Sequence, residues 1–190
     1  MMRATLERDG KVLSTALATV ARKRPGALVH DARVMPRVPA PEEVLDGPEE
    51  HYLPAFTRAF AFRQCLGPVP FSSGSEAHVG GWCRIEEDGV PVDAALVCAM
   101  LDAWPPAAVA LSPGWCPVAS IEIGYHFLEA LPMAATEPRP WLFHEARAGQ
   151  VSSGLADETA VLWSRDGRPL ATARQRIAIF PTSARPERAR

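Results

Sequence analysis

The sequence has no dense cluster of basic residues: 20 Lys and Arg stand against 22 Asp and Glu, for a formal net charge of −2. That balance gives no electrostatic reason to expect nucleic acid or an anionic membrane as partner, and it points instead to small molecules or proteins. It has no uninterrupted apolar run of membrane-spanning length. The longest, PVDAALVCAMLDAWPPAAVAL at residues 91–111, is broken by Asp93, Asp102, Pro105 and Pro106, short of the roughly 20 clean residues a spanning helix needs. The first residues, MMRATLERDGK, lack the apolar stretch of a secretory signal, so the expected compartment is the cytoplasm. Cys65, Cys83, Cys98 and Cys116 form no CxxC pair, and the histidines show no H-E-x-x-H spacing. Reduced structural thiols and no metal or redox cofactor are therefore expected. There is also no G-x-S-x-G turn to strain a serine into a nucleophile, which argues against a Ser-His-Asp hydrolase.

What is present is an ordinary globular composition, 47% hydrophobic and 22% charged over 190 residues, enough to bury a real core. It also contains a repeat. RDGKVLSTALATVA at residues 8–21 and RDGRPLATARQRIA at 165–178 keep Arg, Asp, Gly, a basic residue, Leu, Thr and Ala in step. Each reads as two strands meeting at an Asp-Gly turn, a dipeptide that accepts the positive φ angles of a tight hairpin. Gln175 stands in the second copy where the first has Ala18.

Along the chain, residues 1–22 form the first hairpin, too short to be a domain and marginal by itself in water. Residues 23–50, rich in Pro and charge without periodicity, read as a linker. Between residues 51 and 182, strands are expected over AFTRAFAFRQCLG, EAHVGGWCRIEED, ASIEIGYHFLEA, PWLFHEARAGQVSSG, LADETAVLWS and RPLATARQRIAIF. One helix is expected over VDAALVCAMLDAW, starting near Asp93 and stopped by Pro105-Pro106. A single helix within an antiparallel run of strands is an α+β pattern. Residues 183–190 read as a frayed tail.

Three residues carry possible chemistry. On the helix, Val97, Met100, Leu101 and Trp104 make an apolar stripe, while Ala95, Cys98, Ala99 and Asp102 share a small-residue side. If a sheet wraps that side, Asp102 becomes a partly buried carboxylate able to act as a general base; otherwise it is a solvated helix-end acid. Strand alternation sets Gln175 with Ala171, Ala173, Ile177 and Ile179, so an amide faces an apolar layer and needs partners, structural or catalytic. By the same alternation Ser120 shares a side with Glu122 and His126, opposite Ile121, Ile123, Tyr125 and Phe127. Trp82, Trp104, Phe127 and Trp141 line an apolar tunnel or belong to the core.

The helix segment CAMLDAW, the strand ASIEIGYHF, the segment PWLFHEARAGQVSSG and the ending RDGRPLATARQRIAIF together resemble the second half of the acyl-CoA thioesterase II (TesB-like) family. The resemblance implies a double hot-dog fold, in which an antiparallel sheet wraps one central helix in each half. It covers residues 51–181 as one half and 3–22 as the closing hairpin of the other, so the chain is expected to begin inside the first hot dog. The helix aspartate of the family falls on Asp102, the hydroxyl of its following strand on Ser120 and the glutamine of its last strand on Gln175. These positions imply a water-activating triad that hydrolyses acyl-CoA to free CoA and a carboxylic acid without a covalent intermediate. Here Glu122 is followed by IGYHFLEA rather than the family's usual His and aromatic-Phe-His-Arg stretch, which leaves the substrate preference open. An alternative is a non-catalytic acyl or acyl-CoA binding protein; a dehydratase would need an Asp/His pair, and no histidine lies near Asp102 in sequence. A lone hot dog leaves a sheet edge and one face open, so a homo-oligomer is expected.

Overall fold

The computed structural model describes residues 1–22, 24, 26, 28, 30–45, 54–133 and 137–181. The 183–190 tail, and the portions of the expected linker and domain at 46–53, lie outside the described residues. The chain divides into two compact units, Met1–Ala32 and Arg33–Arg190.

The first unit is a hairpin of β1 (Met2–Arg8) and β2 (Lys11–Ala18). Arg8 pairs with Lys11, leaving a two-residue turn in which Asp9 and Gly10 have φ of 50° and 72°. Both turn residues must be left-handed to match the twist of the strands, and Asp and Gly are residue types that tolerate this. Every residue of the two strands is exposed, including Leu6, Leu13 and Leu17. The related sequence at 165–178 folds differently. There only Gly167 of the Asp-Gly pair is left-handed, and Ser164 closes a wider turn by accepting from the Gly167 N–H and donating its own N–H to the Arg168 carbonyl. The Ser164 hydroxyl adds a bond to the Asp166 carboxylate, so the same dipeptide serves a longer loop.

Among the described residues, the second unit is one antiparallel sheet of six strands and one α-helix. The strands are β3 (Phe60–Leu66), β4 (His78–Ile85), β5 (Val118–Phe127), β6 (Leu142–Ser152), β7 (Leu155–Trp163) and β8 (Pro169–Ile179), in the spatial order β3-β4-β6-β7-β8-β5. The helix α1 spans Ala94–Asp102 and starts where expected: the Asp93 carboxylate caps it, accepting from the Leu96 N–H at 2.9 Å. Pro105 and Pro106 follow, and the chain resumes as a 3-10 turn at Ala107–Leu111, an element the sequence pattern did not reveal. Residues Ala94–Leu111 are together apolar enough to match a membrane-crossing length. The continuous helix is nine residues, however, and its inner face is spent on the sheet.

That face presents Leu96, Val97, Met100 and Leu101 to Val79, Cys83, Ala146, Ala160, Leu162, Ala171 and Ala173 of the strands. Small residues on β6, β7 and β8 let the helix approach the sheet closely. Gly81 on β4 serves the same end: a Cβ there would lie 2.6 Å from the Trp104 ring and 2.3 Å from the Arg63 carbonyl oxygen. Trp104 in turn stacks on the buried His144, ring centres 5.5 Å apart and nearly parallel.

Two expectations change. Residues 33–44 do not run free: Met35, Val38 and Val44 pack on the cluster of Trp82, Trp141, Phe143 and Trp163. The Trp82 indole donates to the Pro39 carbonyl at 2.9 Å, and Arg63 donates to the Pro41 carbonyl at 2.6 Å. Proline here offers carbonyls to the wall of the domain, so a Pro-rich composition marks an ordered strap. Trp82, Trp104 and Trp141 are buried in the core and Phe127 is exposed, so none of the four lines a tunnel.

Candidate active site

The outer side of α1 is not wrapped. Ala95, Ala99 and Asp102 are exposed and Cys98 is half-buried, yet neighbouring apolar groups partly desolvate the Asp102 carboxyl. Asp102 lines a cleft of about 330 Å³ together with Phe56, Phe60, Cys98, Ala99, Ala103 and Tyr125. The cleft is apolar except for this carboxylate, the Tyr125 hydroxyl and the Cys98 thiol.

Ser120 approaches Asp102 through an irregularity in β5. Simple alternation sets it with Glu122 and His126, and the structure corrects this. Ser120 pairs with Ile177 and Glu122 with the next residue of β8, Arg176, so Ile121 is an extra residue, a β-bulge. Ile121 is left 61% exposed, and Ser120 turns to the inner face with Ile123 and Tyr125. One inserted residue inverts the facing of everything before it, which a period of two cannot anticipate.

Gln175 faces inward as expected, beside Ala173 and Ile177, and is 6% exposed. Its partners are polar side chains. Its carbonyl oxygen accepts from the Ser120 hydroxyl at 3.1 Å, and the same hydroxyl lies 3.5 Å from the Asp102 carboxylate. A hydroxyl has one proton, so it donates to one acceptor at a time, and Gln175 is the better placed. Helix end, bulged strand and closing strand thus bring Asp102, Ser120 and Gln175 together although up to 73 positions separate them in sequence.

Beyond Gln175 lies a residue the sequence reading missed. Glu158 on β7 is directly opposite Gln175 in register and only 2% exposed. One carboxylate oxygen accepts from the Gln175 side-chain nitrogen at 2.6 Å, and the other from the Ala107 N–H that opens the 3-10 turn. The signal was available: alternation in LADETAVLWS places Glu158 in phase with Ala156, Ala160 and Leu162, an acid among inward residues.

The electrostatics follow from this packing. Apolar surroundings push the Asp102 carboxyl above its ordinary range, and the Ser120 hydroxyl works in the opposite direction. Glu158 is also raised by burial and by the Asp102 charge, against its bonds from Gln175 and Ala107. Burial and then the Asp102 charge raise Tyr125 and Cys98, keeping both neutral near pH 7. The site therefore has one solvent-accessible carboxylate beside a neutral apolar cleft, with a hydrogen-bonded relay reaching inward to a second, buried one.

A family model described as the acyl-CoA thioesterase C-terminal domain matches residues 31–179. The chain belongs to that family. Solved structures agree on the fold. A conserved hot-dog-fold protein from Alicyclobacillus acidocaldarius is 25% identical, with a TM-score of 0.80 over 95% of this chain and 67% of that one. A tesB protein from Mycobacterium avium subs. paratuberculosis is 22% identical, with a TM-score of 0.67 over 94% of this chain and 65% of that one. Acyl-CoA thioesterase II TesB2 from Mycobacterium marinum is 18% identical, with a TM-score of 0.64 over 96% of this chain and 69% of that one. The chain thus spans about two thirds of the length of these relatives. No curated protein matches it. The six-stranded sheet wrapped on α1 is a hot dog of the TesB-like kind, as the resemblance implied.

Proposed function

We propose that this thioesterase-family chain hydrolyses acyl-CoA thioesters to free CoA and a carboxylic acid, using a water held between Asp102, Ser120 and Gln175. The reading rests on the convergence of these three side chains, from three separate elements, with Asp102 among the residues that line an apolar cleft. The water gives a proton to the Asp102 carboxylate as its oxygen bonds to the thioester carbonyl carbon. The tetrahedral intermediate then collapses, the C–S bond breaks with its electron pair on sulfur, and the proton passes to the departing thiolate. Ser120 and Gln175 fix the water's orientation, turning a bulk reactant into a positioned one. Phe56, Phe60 and Tyr125 offer the acyl group an apolar wall.

One observation favours the binding-protein alternative: the cleft opens to solvent along α1, and a hydrolytic site gains from excluding bulk water. A second copy of the chain over that face would close the cleft, which keeps self-association within the proposal. Thiol release from a panel of short to long acyl-CoA substrates, with Asp102→Asn beside the parent, separates the readings. Turnover that falls roughly 10²- to 10⁴-fold in a folded variant supports water activation by Asp102. Saturable acyl-CoA binding without turnover in the parent replaces hydrolysis with binding.

A further inference from the structure

Gln175 can help position a water in two opposite ways. Turned one way, its amide shows the site a carbonyl oxygen that accepts a proton from water. Turned the other way, it shows an NH₂ group that donates to the water's lone pair. The difference matters for hydrolysis, because the lone pair is what attacks the carbonyl carbon. A water that donates both protons, one to Asp102 and one to Gln175, keeps its lone pairs free for the substrate; a water that accepts from an amide has one of them engaged.

The structure shows what decides between the two. Gln175 sits directly across from Glu158, with 2.6 Å between its nitrogen and the Glu158 carboxylate. With the amide inverted, two oxygens would face one another at that distance, lone pair to lone pair. With one oxygen taking the Ala107 N–H, the Glu158 carboxylate offers its other oxygen as an acceptor, and so it takes the nitrogen. Glu158 cannot itself turn aside, since its other oxygen is held by the Ala107 N–H at the start of the 3-10 turn, and it is 2% exposed. Gln175 is left with its carbonyl oxygen toward Ser120 and Asp102.

We infer that Glu158 is a positioning residue that sets the hydrogen-bond polarity of the site, locking the Gln175 amide so that Asp102 and Gln175 present acceptors to the two protons of the reacting water. The inference rests on the water-activating reading of the site, while the amide orientation itself is measurable without turnover. It also gives the buried acid on β7 a role beyond accepting from the Ala107 N–H.

Glu158→Gln is the nearly isosteric test. The new side chain still accepts from Ala107 through its carbonyl, and now turns an NH₂ toward Gln175, which must flip to meet it. The expected result is a fall in kcat of roughly 10- to 100-fold with little change in KM, because the acyl cleft is untouched while the water is misoriented. The exchange variant Glu158→Gln with Gln175→Glu restores the lost polarity: Gln at 158 donates to Glu at 175, whose second oxygen again accepts from Ser120. It is expected to turn over faster than Glu158→Gln, both assayed where Asp102 is ionised. Parental kcat in folded Glu158→Gln, or a folded exchange variant no faster than the single one, overturns the inference. The side-chain ¹⁵NH₂ resonances of Gln175, assigned by their loss in Gln175→Glu, supply a readout that needs no activity. They are expected to move on Glu158→Gln, and unmoved resonances overturn the inference. A parent without turnover removes the proposed function alone and leaves this resonance to decide the orientation.

Discussion

His144 predicts an acid sensitivity that can be isolated by one substitution. The imidazole is 1% exposed, packed flat against Trp104, and burial, partly offset by the Leu101 backbone, lowers its pKa from 6.5 to about 3. In the unfolded chain it regains its ordinary affinity for protons. Below pH 6.5 the unfolded state binds a proton that the folded state refuses, so stability is intact above that pH and is lost as the pH falls toward about 3. Inside this window the loss runs at about 1.4 kcal/mol per pH unit, or about 2–3 kcal/mol by roughly pH 4.5. His144→Phe keeps a flat ring on Trp104 and removes the titration. Urea unfolding followed by tryptophan fluorescence reads the second unit alone, because all five tryptophans lie in it. The larger ring costs about 1–3 kcal/mol at neutral pH, which shifts the whole curve without tilting it. Carboxylates such as Asp102 and Glu158 titrate in both proteins and cancel in the difference. The expected result is a parent that loses about 2–3 kcal/mol more than the variant between pH 7.5 and about pH 4.5. Parallel curves over that range would show that the ring is not buried neutral in the folded protein, and would refute the reasoning.

Two further outcomes follow from the geometry. Gly81→Ala forces a Cβ to within 2.6 Å of the Trp104 ring and 2.3 Å of a carbonyl oxygen. It is expected to destabilise the second unit by about 1–3 kcal/mol in the same urea assay, and an unchanged midpoint would mean that Trp104 is not seated against β4. If Asp102 works ionised, the rate falls on the acid side as the pH drops through a pKa held above its ordinary value of 3.8. An acid limb of kcat/KM centred at or below that ordinary value contradicts the desolvation of Asp102.

Much of the fold was written in local pattern. The described strands of the second unit and α1 lie within a residue of the stretches that alternation and helical spacing picked out, because each is a long element whose buried side is set by residues two, three or four apart. Ala55–Ala59 of the first expected strand is instead a 3-10 helix. Gln175 was legible for the same reason, as an amide in the inward phase of a regular strand. Glu158 was equally legible and was missed, an acid in the inward phase of β7. The resemblance named Asp102, Ser120 and Gln175 together, but no periodicity in the sequence joins residues from a helix end and two strands.

By itself, then, the sequence determined what short-range chemistry controls: the strands, the helix with its Asp93 cap and proline stop, the tight Asp9-Gly10 turn and the inward facing of Gln175. Tertiary structure decided the rest. The bulge at Ile121 depends on how β5 registers against β8, so only the paired strands show Ser120 turned toward the site. The strap at 33–44 is held by tryptophan and arginine donors far along the chain, which its own composition cannot reveal. The polarity of the Gln175 amide depends on a carboxylate 17 residues away that pairing brings to 2.6 Å. Each of these turns on which strand lies beside which, and strand pairing is a long-range choice made by packing the whole sheet around α1.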